Sequence, residues 1–216
     1  MSEMRVKAKI CGLSTPATVR AALDGGAAYL GFNFFPPSPR YLAPEAAARL
    51  AEPARNRAKV VAVTVDPDDA LLDRLMSVLA PDFIQLHGKE PPNRVREVAE
   101  RTGCGVVRVV SVSEAADFDK AKAFDGLADL LMFDAKPPKD SALPGGVGAR
   151  FDWTLPMGRS FSRPWFLAGG LDPWNVTEAV RLSGAPMVDV SSGVERGPGL
   201  KDPALIAAFL DAVRRA

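Results

Sequence analysis

The residues able to do proton or nucleophile chemistry are few: two cysteines, Cys11 and Cys104, one histidine, His87, and aspartates such as Asp66, Asp134 and Asp189 that close or follow apolar runs. A thiol becomes a useful base where electropositive surroundings stabilise its thiolate. A carboxyl group at the end of an apolar run is partly desolvated, which favours its protonated form and suits it to general-acid work near neutral pH. Cys11 closes KIC and Asp134 closes LLMFD, so the two form a candidate base and acid. Each also has a plainer reading. A lone cysteine packs as a small buried hydrophobe, and an aspartate there caps a following turn.

Whether the two meet depends on the elements that carry them. Short runs rich in Val, Ile, Phe and Leu lie at Val6–Cys11, Tyr29–Phe34, Lys59–Val65, Phe83–Leu86, Val106–Val109, Leu130–Asp134, Pro164–Ala168 and Met187–Val190. Each is followed by a turn and a segment of helical periodicity, a repeated βα pattern. The strands recur about every 26 residues, near the size of a compact βαβ repeat. Runs such as KVVAV and LLMF are apolar on both faces, as in a parallel sheet covered by helices. Thr15-Pro16, Asp172-Pro173 and Asp202-Pro203 each set a capping side chain before a proline suited to the first helical position. An open doubly wound sheet would carry a GxGxxG turn after strand one, which is absent. Closure into one (β/α)8 barrel over residues 1–216, an α/β fold of the TIM-barrel type, is therefore expected.

Composition narrows the partners. At 47% hydrophobic and 25% charged the chain sits in the ordinary globular range. Lys and Arg total 27 against 26 Asp and Glu, so no long-range field draws in nucleic acid or an anionic membrane. The segment MSEMRVKAKICG has no apolar signal region, and no run approaches the roughly 18 apolar residues of a membrane span. Two cysteines are too few for a disulfide framework. A cytoplasmic protein with a small-molecule partner is expected. No set of His, Cys and carboxylates has metal-ligand spacing, so no metal is expected.

In such barrels function gathers at the carboxyl ends of the strands. Cys11 ends strand one and Asp134 strand six, which puts both at one mouth, whereas Cys104 precedes strand five at the opposite end and reads as a buried structural thiol. Gly169-Gly170 and Ser191-Ser192-Gly193 close strands seven and eight, where barrels commonly hold phosphate with backbone N–H groups. A lone Gly-Gly pair is an ordinary turn, but two such turns in these positions mark an anion site. The loop AKPPKDSALPGGVGARFDW after strand six is a candidate lid, and its glycine run supplies a further donor or only flexibility. Arg40, in PPSPRY, suits a planar carboxylate, against the default of a solvated surface arginine. His87, in IQLHG, is a proton carrier or a neutral spacer. Asp66, before Pro67, reads as a helix-entry turn, and Asp189, inside the last strand, as a group that orients ligand.

In order along the chain, KICG, GFNFFPPSPRY, QLHG, FDAKPP with PGGVGARFDW, LAGGLDPWNV and DVSSGVERGPGLKD closely resemble the phosphoribosylanthranilate isomerases of tryptophan biosynthesis, from about Lys9 to the C-terminus. The resemblance implies a barrel of the ribulose-phosphate-binding type. It also implies a cofactor-free Amadori rearrangement of N-(5-phosphoribosyl)anthranilate to 1-(2-carboxyphenylamino)-1-deoxyribulose 5-phosphate. By resemblance Asp134 protonates the furanose ring oxygen and Cys11, as thiolate, removes the proton from the sugar C2. Arg40 falls beside the anthranilate carboxylate, and His87 and Asp189 line the pocket. The phosphate falls to Gly146, Gly169, Gly170, Ser192 and Gly193. Where the family commonly carries a small polar residue this chain has Val147, which removes a hydroxyl contact and leaves backbone donation. Two other readings stand beside this one: an isomerase of histidine biosynthesis, whose members carry an aspartate in place of Cys11, and a non-catalytic phosphosugar-binding barrel, against which the Cys11 and Asp134 pair argues.

Overall fold

A computed structural model describes residues 6–137, 141, 143–146 and 148–216; Val147 lies outside the described residues. Eight parallel strands close into a barrel in sequence order: β1 Lys7–Cys11, β2 Tyr29–Asn33, β3 Lys59–Thr64, β4 Phe83–Leu86, β5 Gly105–Val112, β6 Leu130–Ala135, β7 Trp165–Leu167 and β8 Met187–Val190. The last strand pairs back on the first, with Lys9 opposite Asp189. All eight expected strands are present, and β5 runs longer than its apolar core suggested.

Helices α1 Pro16–Asp24, α2 Pro44–Ala51, α3 Asp69–Val78 and α4 Pro92–Thr102 follow the first four strands; α5 Val176–Ser183 and α6 Pro203–Arg214 follow the last two. Two of the three expected caps form. Thr15 accepts from Thr18 N in a capping box, and Asp202 accepts from Ala204 N. Asp172-Pro173 does not start a helix: the Asp172 carboxylate accepts from the backbone N–H groups of Trp174 and Asn175, closing a turn, and α5 starts only at Val176. Asp66, read as a helix-entry turn, lies in the bend that precedes α3. Asp68 caps α3, and Asp66 has φ 45° and donates its N–H to Glu90.

The βα alternation also weakens on one side. A 3-10 helix, Ala115–Phe124, follows β5, and among the described residues no helix lies between β6 and β7, where 153–158 is a series of turns. Pro156 and Gly158, with φ 73°, break any helix there. Aromatic packing covers the barrel wall instead. Phe133, directed outward from β6, lies 4.7 Å from Phe118, 4.6 Å from Phe161 and 5.6 Å from Trp165, ring centre to ring centre.

Strand periodicity splits the core into two clusters. Alternate residues such as Ile10, Leu30, Ala62, Ile84 and Val106 face the helices, while Tyr29, Val61, Val107, Met132 and Phe166 fill the barrel interior. The rings of Tyr29, Phe83 and Phe166 meet edge to face and plug the amino end of the barrel. Polar interior residues are thereby confined to the layers above, toward the carboxyl ends of the strands.

Candidate active site

Above that plug lies a cleft of about 770 Å³, counting its open mouth, lined by Cys11, Arg40, His87, Asp134, Asp189 and the turns after β7 and β8. Each comes from the carboxyl end of a strand or the loop beyond it.

Cys11, the last residue of β1, has Lys9 two positions earlier on the same inward face. The Lys9 side chain is fully buried, and its Nζ donates to Asp189 Oδ1 at 2.9 Å. The carboxylate assigned to ligand orientation is thus engaged by the chain's own lysine. Lys201, equally buried, bonds the Ser191 carbonyl at 3.1 Å and also pairs with Glu195. The expectation that electropositive surroundings hold Cys11 as a thiolate needs correction. Burial pushes the Cys11 thiol up; Lys9 draws it down, Asp189 opposes Lys9, and Lys201 helps, with the balance above the ordinary thiol range. Cation charge comes from beneath and beside Cys11 and does not overcome desolvation.

Across the cleft, Asp134 is 6% exposed and its Oδ2 lies 3.3 Å from His87 Nε2, without the alignment of a hydrogen bond. Gln85 Nε2 lies 3.3 Å from His87 Nδ1. With the amide as donor, the ring hydrogen sits on Nε2, facing the carboxylate. Gly145, in the loop after β6, rests on this pair: a Cβ there would fall 2.5 Å from Asp134 Oδ2 and 2.7 Å from His87 Nε2. The candidate lid therefore packs onto the acid. Gly145→Ala is expected to lower kcat about tenfold by displacing the carboxyl tip, with the thermal midpoint within 1–2 °C of the parent, roughly the shift of a surface substitution. Steady-state kinetics and a thermal melt check both halves.

Arg40 is no solvated surface arginine, being 6% exposed. Its fork grips Glu195, with Nε to Oε1 at 2.7 Å and Nη2 to Oε2 at 2.9 Å, and Nη2 also donates to the Gly146 carbonyl at 3.1 Å. Burial opposes ionisation of Glu195, but Arg40 and Lys201 hold it below the ordinary carboxylate range. The planar carboxylate that this guanidinium meets bidentately is internal, leaving Nη1 as the remaining corner. Gly146, expected among phosphate donors, here presents its carbonyl to Arg40. Gly148 is the glycine of that run beside Ser192, its Cβ direction pointing to Ser192 Oγ at 3.8 Å.

The turns after β7 and β8 lie side by side. Gly169 and Gly170 have φ 90° and 62°, and Gly193 packs so closely that a Cβ would fall 1.9 Å from the Leu171 carbonyl oxygen. Only glycine permits that approach. Gly169, Gly170, Leu171 and Ser192 all line the cleft. Cys104, at the opposite end of the barrel, is half-buried and contacts Met76 Sδ and the Pro81 carbonyl.

Sequence reading missed Lys9, Gln85, Glu195 and Lys201. Lys9 and Gln85 were detectable, since each lies two residues before a singled-out residue in a strand and therefore on the same face. Glu195 and Lys201 belong to a small hairpin, Glu195–Gly197 with Leu200–Lys201, beyond β8; only the chain's return over the mouth brings them in.

Residues 8–212 match the family model described as N-(5'phosphoribosyl)anthranilate (PRA) isomerase. The chain is 70% identical over 210 residues to N-(5'-phosphoribosyl)anthranilate isomerase of Caulobacter vibrioides, covering 97% of this chain and 96% of that one. It is 51% identical to the protein of that name in Mesorhizobium japonicum, covering 99% and 97%. Among solved structures, phosphoribosyl anthranilate isomerase from Thermotoga maritima superposes with a TM-score of 0.87 at 34% identity, over 98% of this chain and all of that one. A crystal structure of phosphoribosyl anthranilate isomerase in complex with reduced 1-(o-carboxyphenylamino)-1-deoxyribulose 5-phosphate superposes with a TM-score of 0.84 at 32% identity, with the same coverage.

Proposed function

The chain belongs to the N-(5'-phosphoribosyl)anthranilate isomerase family, and on that premise we propose a division of labour in its cleft, with Cys11 as base and Asp134 as acid. It is an isomerase of tryptophan biosynthesis that converts N-(5'-phosphoribosyl)anthranilate to 1-(2-carboxyphenylamino)-1-deoxyribulose 5-phosphate. The observation that carries the division is the placement of the two residues at the carboxyl ends of β1 and β6, facing one cleft.

Asp134 gives its proton to the furanose ring oxygen. The ring C1–O bond breaks, and the anthranilate nitrogen lone pair forms the C1=N Schiff base. Cys11 thiolate takes the C2 proton, and the C2–H electrons form the C1=C2 bond of an enolamine as the C=N pair returns to nitrogen. Tautomerisation places a hydrogen on C1 and leaves the C2 ketone. Substrate and product are isomers, so no oxidant, reductant or cofactor enters the balance. His87, its ring oriented by Gln85, faces the acid's oxygen at 3.3 Å. Arg40 Nη1 meets the anthranilate carboxylate, and Gly169, Gly170, Ser192 and Gly193 hold the phosphate, with Gly146 and Gly148 closing over it. The adjacency of the turns after β7 and β8 supports that assignment.

We further read residues 1–216 as one domain, on the ground that the closed sheet runs from Lys7 to Val190. A cytoplasmic setting suits a biosynthetic enzyme, and among the described residues no helix is long and apolar enough to cross a membrane.

Burial raises the Cys11 thiol, so at neutral pH the base form is the minor species, and each pH unit below the thiol pKa removes about tenfold of it. Turnover, followed as loss of the fluorescent anthranilate adduct, is therefore expected to rise with pH through the neutral and mildly alkaline range. A profile that is flat or falling there rules out Cys11 as the base.

A further inference from the structure

We infer that Lys9 is a buried positioning residue whose ammonium holds the Cys11 thiolate by charge from beneath, with Asp189 limiting that effect. The inference rests on the reading of Cys11 as base and adds the group that makes its thiolate attainable.

The geometry is specific. Lys9 and Cys11 share the inward face of β1, and a Cβ built on Gly31 of the neighbouring strand would lie 3.1 Å from Lys9 Nζ and 3.2 Å from Cys11 Sγ. Both side-chain ends therefore converge on one point of β2, where the Cys11 and Gly31 positions are paired. An ammonium with no solvent exposure in a barrel interior is costly unless it serves a charge, and Asp189 supplies only one oxygen contact, at 2.9 Å.

The charges around the sulfur fall into two sets. Asp189 from β8 and Lys201 from the hairpin act on it directly, and behind Lys201 stand Glu195 and Arg40. On the far wall are Asp134 from β6 and His87 at the end of β4. On the near side, among the described residues, three cations, Lys9, Arg40 and Lys201, face two carboxylates, Asp189 and Glu195. One positive charge is uncompensated while Cys11 is a thiol, and ionisation to the thiolate balances the set. Such a cluster stabilises an anion at the sulfur better than a neutral lining would.

Two substitutions act in opposite directions, which a merely structural role would not produce. Lys9→Met removes the favourable charge, and Asp189→Asn removes the charge that competes for it. The experiment measures the pH midpoint of Cys11 alkylation by iodoacetamide in a Cys104→Ser background, read by mass spectrometry on protein whose fold is checked by circular dichroism. The midpoint, unlike the absolute rate, does not depend on how easily the reagent enters. Lys9→Met is expected to move it upward, slowing alkylation about tenfold at a fixed pH below it, and Asp189→Asn to move it downward by a similar factor. Lys9→Arg should return it toward the parent value. Midpoints that stay put or move in the same direction in the first two variants overturn the inference. If Lys9→Met does not fold, Lys9→Gln, which removes the charge and keeps a hydrogen-bond donor for Asp189, takes its place: a higher midpoint supports the role of Lys9, and an unchanged or lower one overturns it. Alkylation reads the thiol whether or not Cys11 is the base, so failure here is distinct from full activity in Cys11→Ser, which would remove the underlying reading instead.

Discussion

Asp134→Asn is expected to lower kcat by about 10²–10⁴-fold, the usual contribution of a positioned general acid, with KM changed by less than about threefold, since a near-isosteric swap leaves ground-state binding in place. Asparagine matches the carboxyl in shape, so the contacts with His87 and Gly145 survive. What is lost is the transferable proton. Without it the ring oxygen must leave as an alkoxide with no proton donor placed to neutralise the developing charge. Steady-state kinetics on the anthranilate adduct, with a thermal melt to confirm the fold, measure the effect. A kcat within a few-fold of the parent would remove Asp134 from the acid role and turn attention to His87 beside it.

Cys11→Ser is expected to be as severe, about 10²–10⁴-fold in kcat, for a different reason. A hydroxyl ionises far less readily than a thiol, and the charge that Lys9 supplies is too small to compensate. The cleft keeps its shape because serine is no larger than cysteine. Folding stability should fall by no more than about 1 kcal/mol, because the hydroxyl enters a polar layer where Lys9 can be its partner. The pH profile separates this loss from a general disturbance: the rise through the alkaline range expected of the parent should be absent from the residual activity. Near-normal turnover in Cys11→Ser would exclude the thiolate mechanism outright.

Much of the site was legible because strand ends are. Cys11, His87, Asp134 and the glycine turns each close a run of Val, Ile, Leu or Phe, and the rule that barrel function gathers at the carboxyl ends sorts Cys11 from Cys104 on sequence alone. Asp172-Pro173 shows where local reading stopped short. The dipeptide has the form of a helix start, but the carboxylate is taken by turn N–H groups and by Arg150 at 2.8 Å, a long-range partner that no cap rule contains. The wall between β6 and β7 was hidden in the same way. Phe161 and Trp165 carry no helical period, and their function as a cover appears only once Phe133 and Phe118 are packed against them.

Arg40 marks the deeper limit. Its position after a proline-stiffened turn identified it as a residue held in place, but Glu195, 155 residues further on, occupies its fork, and that partnership exists only because the hairpin after β8 folds back over the mouth. The Cys11 environment follows the same logic. That Lys9 lies beneath it is a matter of two-residue periodicity and was present in KIC. That Asp189 partly neutralises Lys9 is a consequence of barrel closure, which brings the last strand beside the first. Local pattern thus determined the eight strands, the mouth at which the base and acid meet, and the two glycine turns, because strand periodicity and backbone freedom are properties of neighbouring residues. Which charges face the thiol, and whether its ionised form is favoured, was decided by the tertiary structure alone, since electrostatic energy and desolvation depend on distance through space and not along the chain.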